Sequence, residues 1–407
     1  SPCARTTSLW LAMGPADFPR LWAPPTPRAL AAALVRQGSA ARGEEAGAGP
    51  ALAAREAPAG DGPAAPPRYE FQQSGCSRRQ LGSWSGVEQA GCFLRPGGAE
   101  ACRFYRLPAL LAPEDAARVL AHVAQPDRVY ETRADSVDGL PSFEYYPFAD
   151  GRWRDTGLRD LLGGFVEGRL LPYVRERYRC GTCALAHALV RRYLPGERRS
   201  HSTHFDGHAF VTAVLGLSDP SGYQGGLYVQ PGPHASSRRL LTIEPGDVIV
   251  HSFNLPHGVS VQRGTRYSLV FWIKDSPESV CTGTTPWHEA LLRRGDADAL
   301  YHVAQCHEFG LHGQPLDVRK AVALYERSAA QGHCFAQHCL GRIYARAHER
   351  GLLPDGLRRA VRWLRAAAAQ GFAPAQAQYA QALAGGKGVA ADSAAAAAWL
   401  RRAAEQG

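Results

Sequence analysis

The sequence HSTHFDGHAFVTAVLGL runs from His201 to Leu217 and combines two features that decide the fold. It ends in a short apolar run, Ala209–Leu217, and it carries a histidine and a carboxylate two residues apart, His204 and Asp206. Side chains at this spacing on a strand point to the same face, so the pair can hold one metal ion together. Such a pair arises about once by chance in a chain of this composition, so the surrounding sequence must decide whether the pair binds a metal.

Short apolar or alternating runs, separated by Gly, Pro, Asp and Ser, surround this segment between residues 184 and 276. The runs are Ala184–Tyr193, Ala209–Leu217, Gly226–Val229, Leu240–Ile243, Asp247–Ser252 and Tyr267–Ile273. Short strands at this spacing, with turn residues between them, predict a sandwich or jelly-roll barrel. Two helices are predicted before the barrel, one beginning at Pro113 and one running from about Leu158 to Tyr178.

A third metal ligand must come from another part of the barrel, and both His251 and His257 could supply it. We favour His257, because Arg266 follows nine residues later on the next predicted strand. That spacing lets the chain turn once and bring a cation beside the metal, where arginine can bind a dicarboxylate with two hydrogen bonds. Ser268 faces the same side and could add a hydroxyl donor. Three protein ligands would leave positions open for oxygen and substrate.

The pattern His204-x-Asp206, His257, Arg266-x-Ser268 resembles the 2-oxoglutarate/Fe(II)-dependent dioxygenase superfamily. Its flanks resemble the prolyl 4-hydroxylase-like branch. The matching flanks are Gly222–Leu227, Pro245–Val248 and Gly264–Leu269. The resemblance implies a double-stranded β-helix (jelly-roll) with flanking helices. It also implies Fe(II) on the two histidines and the aspartate, and 2-oxoglutarate on the arginine and serine.

Tyr193 stands where the family often has a tyrosine on the cosubstrate carboxylate, although its spacing of eleven residues before His204 is longer than usual. The resemblance further implies hydroxylation of a substrate, decarboxylation of 2-oxoglutarate to succinate, and ascorbate that keeps the iron reduced. A protein or peptide substrate, with a peptidyl (prolyl) side chain as target, is expected from the branch. Residues 128–156 do not match the substrate segment of that branch.

Two alternative hypotheses, each from a different functional class, stay open. In the first, the barrel is inert and the chain is a scaffold for protein–protein interaction. In the second, the barrel binds a metal, as cupins do, without 2-oxoglutarate chemistry. The second reading predicts no need for Arg266, whereas the dioxygenase reading predicts that its replacement by alanine sharply weakens cosubstrate binding.

From about residue 277 the pattern becomes helical and repetitive. The pairs Gln331-Gly332, Gln370-Gly371 and Gln406-Gly407 recur at intervals of 39 and 36 residues. Their glycines are predicted to end each second helix in the left-handed conformation. The helices that open the repeats superpose as Ala299-Leu300-Tyr301, Ala336-Gln337-His338 and Ala377-Gln378-Tyr379. The segment resembles Sel-one-like repeats of the tetratricopeptide type, which implies an all-α solenoid with a surface for a protein partner.

The sequence therefore predicts a multidomain chain. Residues 1–67 are an Ala/Pro/Gly-rich segment predicted to be disordered. Residues 68–276 are predicted to form the dioxygenase domain, with its core at 184–276, and residues 277–407 the helical repeats.

Composition narrows the function classes further. The net charge of +9 comes almost wholly from arginines spread along the chain, which favours solvated charges over a nucleic-acid site. No apolar run is long enough to predict a membrane span. The ten cysteines are scattered, and the motif Cys180-Gly-Thr-Cys183 is interpreted as two ordinary thiols.

Overall fold

The computed structural model describes the backbone of residues 89–94, 100–135 and 140–406, and side chains from residue 104 onward except 133–134. The segment predicted to be disordered, residues 1–67, lies outside these ranges.

Thirteen strands form two antiparallel sheets within this part of the chain. The strands are β1 Gln89–Leu94, β2 Glu100–Leu107, β3 Glu131–Ala134, β4 Pro141–Ala149, β5 Arg152–Trp153, β6 Ala184–Tyr193, β7 Ser200–His204, β8 Val211–Gly216, β9 Tyr223–Val229, β10 Arg239–Leu240, β11 Val248–Ser252, β12 His257–Gly264 and β13 Arg266–Lys274. The larger sheet has the order β1-β2-β11-β8-β13-β6-β4-β3, with β5 against β4, and the smaller has the order β10-β9-β12-β7. The predicted jelly-roll architecture is confirmed.

Strand β8 shows how alternation builds the two sides of the larger sheet. Val211, Ala213 and Leu215 join the main apolar core, which also contains the buried residues of the helices that precede the barrel. Val214 points the other way, into a second cluster inside the barrel. Thr212 shares that inner face because it lies two residues before Val214. A single apolar run thus serves both the outer helical layer and the barrel interior.

The helices that cover the larger sheet are α1 Pro113–Val123, α2 Thr156–Phe165 and α3 Leu171–Arg177. The segment predicted as one helix from Leu158 to Tyr178 is divided by a π-helical turn, Val166–Leu170. A π-turn holds one extra residue, so it shifts the buried face of the helix. Consecutive residues on both sides of the turn are consequently buried: Phe165, Val166, Leu170 and Leu171.

The interpretation of the Cys180-Gly-Thr-Cys183 motif as two ordinary thiols is wrong. The two cysteines form a disulfide, with Cα atoms 5.5 Å apart, in the tight turn between α3 and β6. Both side chains are buried in the main core, so the turn that leads into β6 brings the sulfur atoms together.

Eight further helices follow the barrel. They are α4 Pro277–Thr282, α5 Trp287–Arg293, α6 Ala297–Phe309, α7 Val318–Ala330, α8 Cys334–Glu349, α9 Gly356–Ala369, α10 Ala373–Gly385 and α11 Ser393–Ala404. Gly332 and Gly371 follow α7 and α9 with φ of +90° and +94°, as predicted for left-handed helix ends. The third predicted glycine, Gly407, lies outside the described residues.

Glutamines connect consecutive helices of the array and fix the alignment of the repeats. Gln337 Nε2 donates to the carbonyl of Ala329 at 3.1 Å, and Gln376 Nε2 donates to that of Ala368 at 3.3 Å. Gln376 is therefore the counterpart of Gln337. The predicted superposition on Gln378 was displaced by two residues.

None of the helices within the described ranges is long and apolar enough to cross a membrane.

Candidate metal centre

The smaller sheet brings the two predicted histidine ligands together. His204 is the last residue of β7 and His257 the first of β12, and the two residues face each other in the pairing of these strands. Asp206 lies two residues beyond the end of β7, in the turn that follows, rather than on the strand as its spacing predicted. Ligand atoms from all three side chains lie within 4.8 Å of one another.

Hydrogen bonds to the backbone orient both imidazoles. Nδ1 of His204 lies 2.8 Å from the carbonyl oxygen of Ser202, and Nδ1 of His257 lies 2.9 Å from that of Leu255. Because a carbonyl only accepts, each Nδ1 carries the proton and each Nε2 keeps its lone pair. Both Nε2 atoms are 3.5 Å from a carboxylate oxygen of Asp206. Three electron-pair donors therefore converge on one point, in the manner of oriented metal ligands.

Two residues that the sequence analysis did not single out hold the carboxylate of Asp206. Its Oδ2 accepts hydrogen bonds from the Thr212 hydroxyl at 2.7 Å and from Trp272 Nε1 at 3.3 Å. Thr212 on β8 faces Trp272 on β13 across the larger sheet. The sequence feature that could have indicated this support was Thr212 itself, a hydroxyl residue on the inner face of an otherwise apolar strand.

The electrostatics of the cluster favour the charge states that a metal needs. Burial alone would raise the pKa of Asp206, but the adjacent His257 and His204 lower it well below its usual range. Burial, together with His204, lowers the pKa of His257 well below its usual value. At neutral pH the centre therefore presents a carboxylate and a neutral imidazole, which are the protonation states that bind metal ions.

Three other histidines surround the cluster, and none of them joins it among the residues described. The ring of His251 lies 4.5 Å from that of His257, and its buried Nε2 has no hydrogen-bond partner. His201 Nε2 lies 2.7 Å from Asp135 Oδ2. His208 packs edge-on against Trp272 at 4.6 Å. The geometry thus groups His257, rather than His251, with the other two candidate ligands.

Arg266 is a buried cation close to this centre. It is 2% exposed, opens β13, and donates from Nη1 to the Ser268 hydroxyl at 3.1 Å. No carboxylate within the described part of the chain lies within ion-pair distance of it. A buried charge without a counter-ion is costly, so the position suits an anionic ligand.

The side chain of Arg266 approaches the smaller sheet, which carries the candidate histidines. A Cβ atom added to Gly226 would lie 3.8 Å from Arg266 Nε. Gly226 faces Ser260 on β12, which is three residues from His257. At the rise of an extended strand this separation is roughly 10 Å. A small dicarboxylate can therefore span the space between the guanidinium and the histidines.

Tyr193, which the family resemblance assigns to the cosubstrate carboxylate, lies beside Arg266. The two residues face each other across β6 and β13, and the guanidinium carbon is 5.9 Å from the tyrosine ring. The Tyr193 hydroxyl is buried, and no hydrogen-bond partner for it is seen among the described residues. Burial raises the pKa of this phenol, against the lowering effect of Arg191 and Arg266. A neutral hydroxyl is therefore available next to the cation.

The acidic and aromatic segment within residues 128–156 forms a separate charge network. Glu144 pairs with Arg191 at 2.5 Å, and Asp135 pairs with the same arginine at 3.2 Å. These acids are buried and satisfied by their own partners. They consequently do not compensate the charge of Arg266.

Comparison with known proteins divides the chain in the same way as its architecture. The family model for the Sel1 repeat matches residues 297–333, 335–372 and 373–407, so the C-terminal helices are Sel1 repeats. Chitin synthase regulatory factor 3 of Schizosaccharomyces pombe is 34% identical over 140 residues, which are 33% of this chain and 15% of that protein.

The part that precedes the repeats has other relatives. The PKHD-type hydroxylase YbiX of Escherichia coli is 26% identical over 184 residues, covering 42% of this chain and 77% of that protein. A crystal structure of a 2OG-Fe(II) oxygenase family oxidoreductase from Burkholderia pseudomallei is 19% identical. That likeness covers 42% of this chain and 85% of the other, with a TM-score of 0.35.

Proposed function

We propose that this protein is an Fe(II)- and 2-oxoglutarate-dependent dioxygenase that hydroxylates a peptidyl, most simply prolyl, side chain. The observation that carries the proposal is the buried, uncompensated Arg266 in the same barrel as the converging His204, Asp206 and His257. The similarity to PKHD-type hydroxylases supports the reaction class. We also propose that residues 68–276, with a core at 184–276, form the catalytic domain, and that residues 277–407 form the repeat domain.

The donor set fits ferrous iron. Two imidazole nitrogens and one carboxylate on one side of a metal leave the opposite positions open, as in non-haem iron oxygenases. The buried cation fits the distal carboxylate of 2-oxoglutarate. A cupin-like metal site without this cosubstrate would gain nothing from Arg266, whose charge costs stability when nothing anionic lies beside it.

Iron and 2-oxoglutarate, when bound, would supply the oxidation: oxygen is consumed, 2-oxoglutarate becomes succinate and carbon dioxide, and the substrate gains a hydroxyl group, while ascorbate keeps the iron ferrous. The contribution of the protein is binding, orientation and exclusion of water. Arg266 binds the distal carboxylate, with hydrogen bonds from Ser268 and Tyr193. The apolar interior around Val214 and Leu227 keeps the reacting end dry.

A macromolecular substrate is favoured by the position of the repeats. Loops at the metal-bearing end of the barrel contact the repeat array, since Phe205 packs on Phe335 and Asn254 donates to Asp298. A polypeptide bound by the repeats would therefore be held close to the metal centre. Helical repeats commonly present extended surfaces of this kind to proteins.

The first test is succinate formation from 2-oxoglutarate by the full chain with Fe(II), ascorbate and oxygen, with and without proline-rich peptides. Wild-type turnover that disappears in both His204→Ala and Asp206→Ala is the expected result. His208→Ala is the matched control, because it removes a neighbouring histidine outside the ligand cluster and is expected to retain turnover. A wild type that binds iron but forms no succinate would favour the non-catalytic scaffold.

A further inference from the structure

We infer that the Sel1 repeats position the metal ligands, and that Phe205 and Phe335 are the positioning residues through which they act. This inference rests on the proposed metal site. It assigns to the repeats a task within the chain itself, in addition to any partner that they bind.

Phe205 stands between two candidate ligands and points away from them. His204 and Asp206 converge on the candidate metal centre, whereas the ring of Phe205 lies against the repeats. The ring enters an aromatic group on the first two repeats. Its centroid lies 5.0 Å from that of Phe335, 5.3 Å from that of His302 and 5.8 Å from that of Tyr301.

Gly207, the residue after Asp206, also contacts the helices that follow the barrel. His288 Nε2 donates to the carbonyl of Gly207 at 2.8 Å. A Cβ atom added to Gly207 would lie 2.5 Å from Nδ1 of His302, so only glycine fits against this ring. The turn that carries Asp206 is therefore enclosed between the barrel and helices α5 and α6.

The loop that leads to His257 has a similar link to the array. Asn254, three residues earlier, donates from Nδ2 to Asp298 Oδ2 at 2.9 Å. The other oxygen of Asp298 lies 3.3 Å from Nε2 of His333, at the end of the first repeat. Both barrel segments that carry candidate metal ligands thus contact the first two repeats.

Metal affinity depends on how well such outer contacts fix the ligands. Removing an outer-shell partner typically lowers metal affinity by roughly 10- to 100-fold. Aromatic pairs at these distances are directional, so the loss of one ring changes the orientation of its partner. A change inside the repeats is therefore expected to alter the metal centre, although no repeat residue is a ligand.

The decisive experiment measures Co(II) binding by the full chain, by titration and by the visible spectrum of the bound metal, which reports ligand geometry. Phe335→Ala is expected to weaken Co(II) binding about tenfold and to shift the spectrum. Phe335→Tyr keeps the ring and is expected to restore both. Trp399→Ala is the matched control and is expected to bind Co(II) with the affinity and spectrum of the wild type. Its ring contacts that of Tyr379 in the third repeat at 5.7 Å, and no ring contact with Phe205 or Phe335 is seen among the described side chains.

Each outcome decides the inference. Unchanged affinity and spectrum in both Phe335→Ala and Phe205→Ala would overturn it and leave the proposed reaction standing. A wild type that binds neither Co(II) nor Fe(II) would overturn the metal site itself. If Phe335→Ala does not fold, Asp298→Ala replaces it. Wild-type binding by a folded Asp298→Ala would then count against positioning by the repeats.

Discussion

Arg266 donates a hydrogen bond to the hydroxyl of Ser268, 3.1 Å away, and no carboxylate in the described chain is near enough to neutralise its charge. The guanidinium therefore destabilises the ligand-free protein and is expected to be compensated when an anion binds. Removal of the guanidinium should therefore raise the stability of the ligand-free protein and lower its affinity for an anionic ligand.

Arg266→Met is expected to raise the free energy of unfolding of the ligand-free protein by about 1 kcal/mol or more, because a buried unpaired charge is lost. The same variant should bind 2-oxoglutarate at least 100-fold more weakly, since it lacks the paired donors. Denaturant unfolding and calorimetry of 2-oxoglutarate binding measure the two effects. Arg266→Lys keeps the charge but lacks the planar guanidinium. Its affinity for 2-oxoglutarate should therefore lie between those of the wild type and Arg266→Met. Unchanged cosubstrate affinity in Arg266→Met would remove the basis of the assignment.

Thr212→Val tests the support of the candidate metal ligand Asp206. The substitution keeps the shape of the side chain and removes the donor of the 2.7 Å hydrogen bond. Metal affinity is expected to fall roughly 10- to 100-fold, as for other outer-shell partners of ligands. Thr212→Ser keeps the hydroxyl and should bind metal as the wild type does. Equal affinities of the valine and serine variants would show that Trp272 alone holds the carboxylate.

Tyr193→Phe separates a structural from a binding role. Removal of the buried hydroxyl, which has no hydrogen-bond partner among the described residues, is expected to stabilise the ligand-free protein by about 1 kcal/mol. If the hydroxyl contacts the cosubstrate, the same change weakens 2-oxoglutarate binding severalfold. Thermal unfolding with and without 2-oxoglutarate measures both quantities. A stabilised variant with unaltered cosubstrate affinity would show that Tyr193 lies outside the binding site.

Lys274 makes stability depend on pH in the alkaline range. Its ammonium group is buried and donates to the carbonyl of Thr284 at 2.7 Å. Burial lowers its pKa from 10.5 to about 8. Between these values the unfolded chain holds a proton that the folded protein has released, so stability rises with pH. The gain is on the order of 3 kcal/mol.

Urea unfolding of the wild type and of Lys274→Met, at several values between pH 7 and pH 10.5, tests this expectation. The wild type should gain stability relative to the variant above about pH 8. A constant difference across the range would mean that Lys274 titrates near its ordinary pKa in the folded state.

The sequence predicted best where apolar periodicity was strong. Strand β6 was expected at Ala184–Tyr193 and lies there, because a long apolar pattern ends at turn residues on both sides. Strands β7 and β12 were absent from the predicted apolar runs, although they carry the candidate histidines, and a strand at His204 was expected only from the His-x-Asp spacing. Strand β7 lies at the edge of the smaller sheet and reads Ser-His-Ser-Thr-His, so it has no apolar signal. Polar residues, among them the candidate ligand His204, occupy positions where apolar side chains would have indicated a strand.

Contacts between distant segments were beyond the reach of sequence patterns. The grouping of His204, Asp206 and His257 was predicted because a known motif specifies it. No sequence feature near Phe205 predicts its contact with Phe335, which lies 130 residues later in the chain. That no carboxylate of the described residues pairs with Arg266 could likewise emerge only from the three-dimensional arrangement, since the sequence contains 37 acidic residues.

The contacts of Phe205 limit how freely the two halves of this chain can be recombined. Its partners Tyr301 and His302 belong to the first repeat and Phe335 to the second. Grafting the barrel onto a foreign helical array would separate these rings, whereas exchange of the third repeat would leave them in place. A hybrid that keeps the metal centre is therefore expected to require that the first two repeats remain with the barrel.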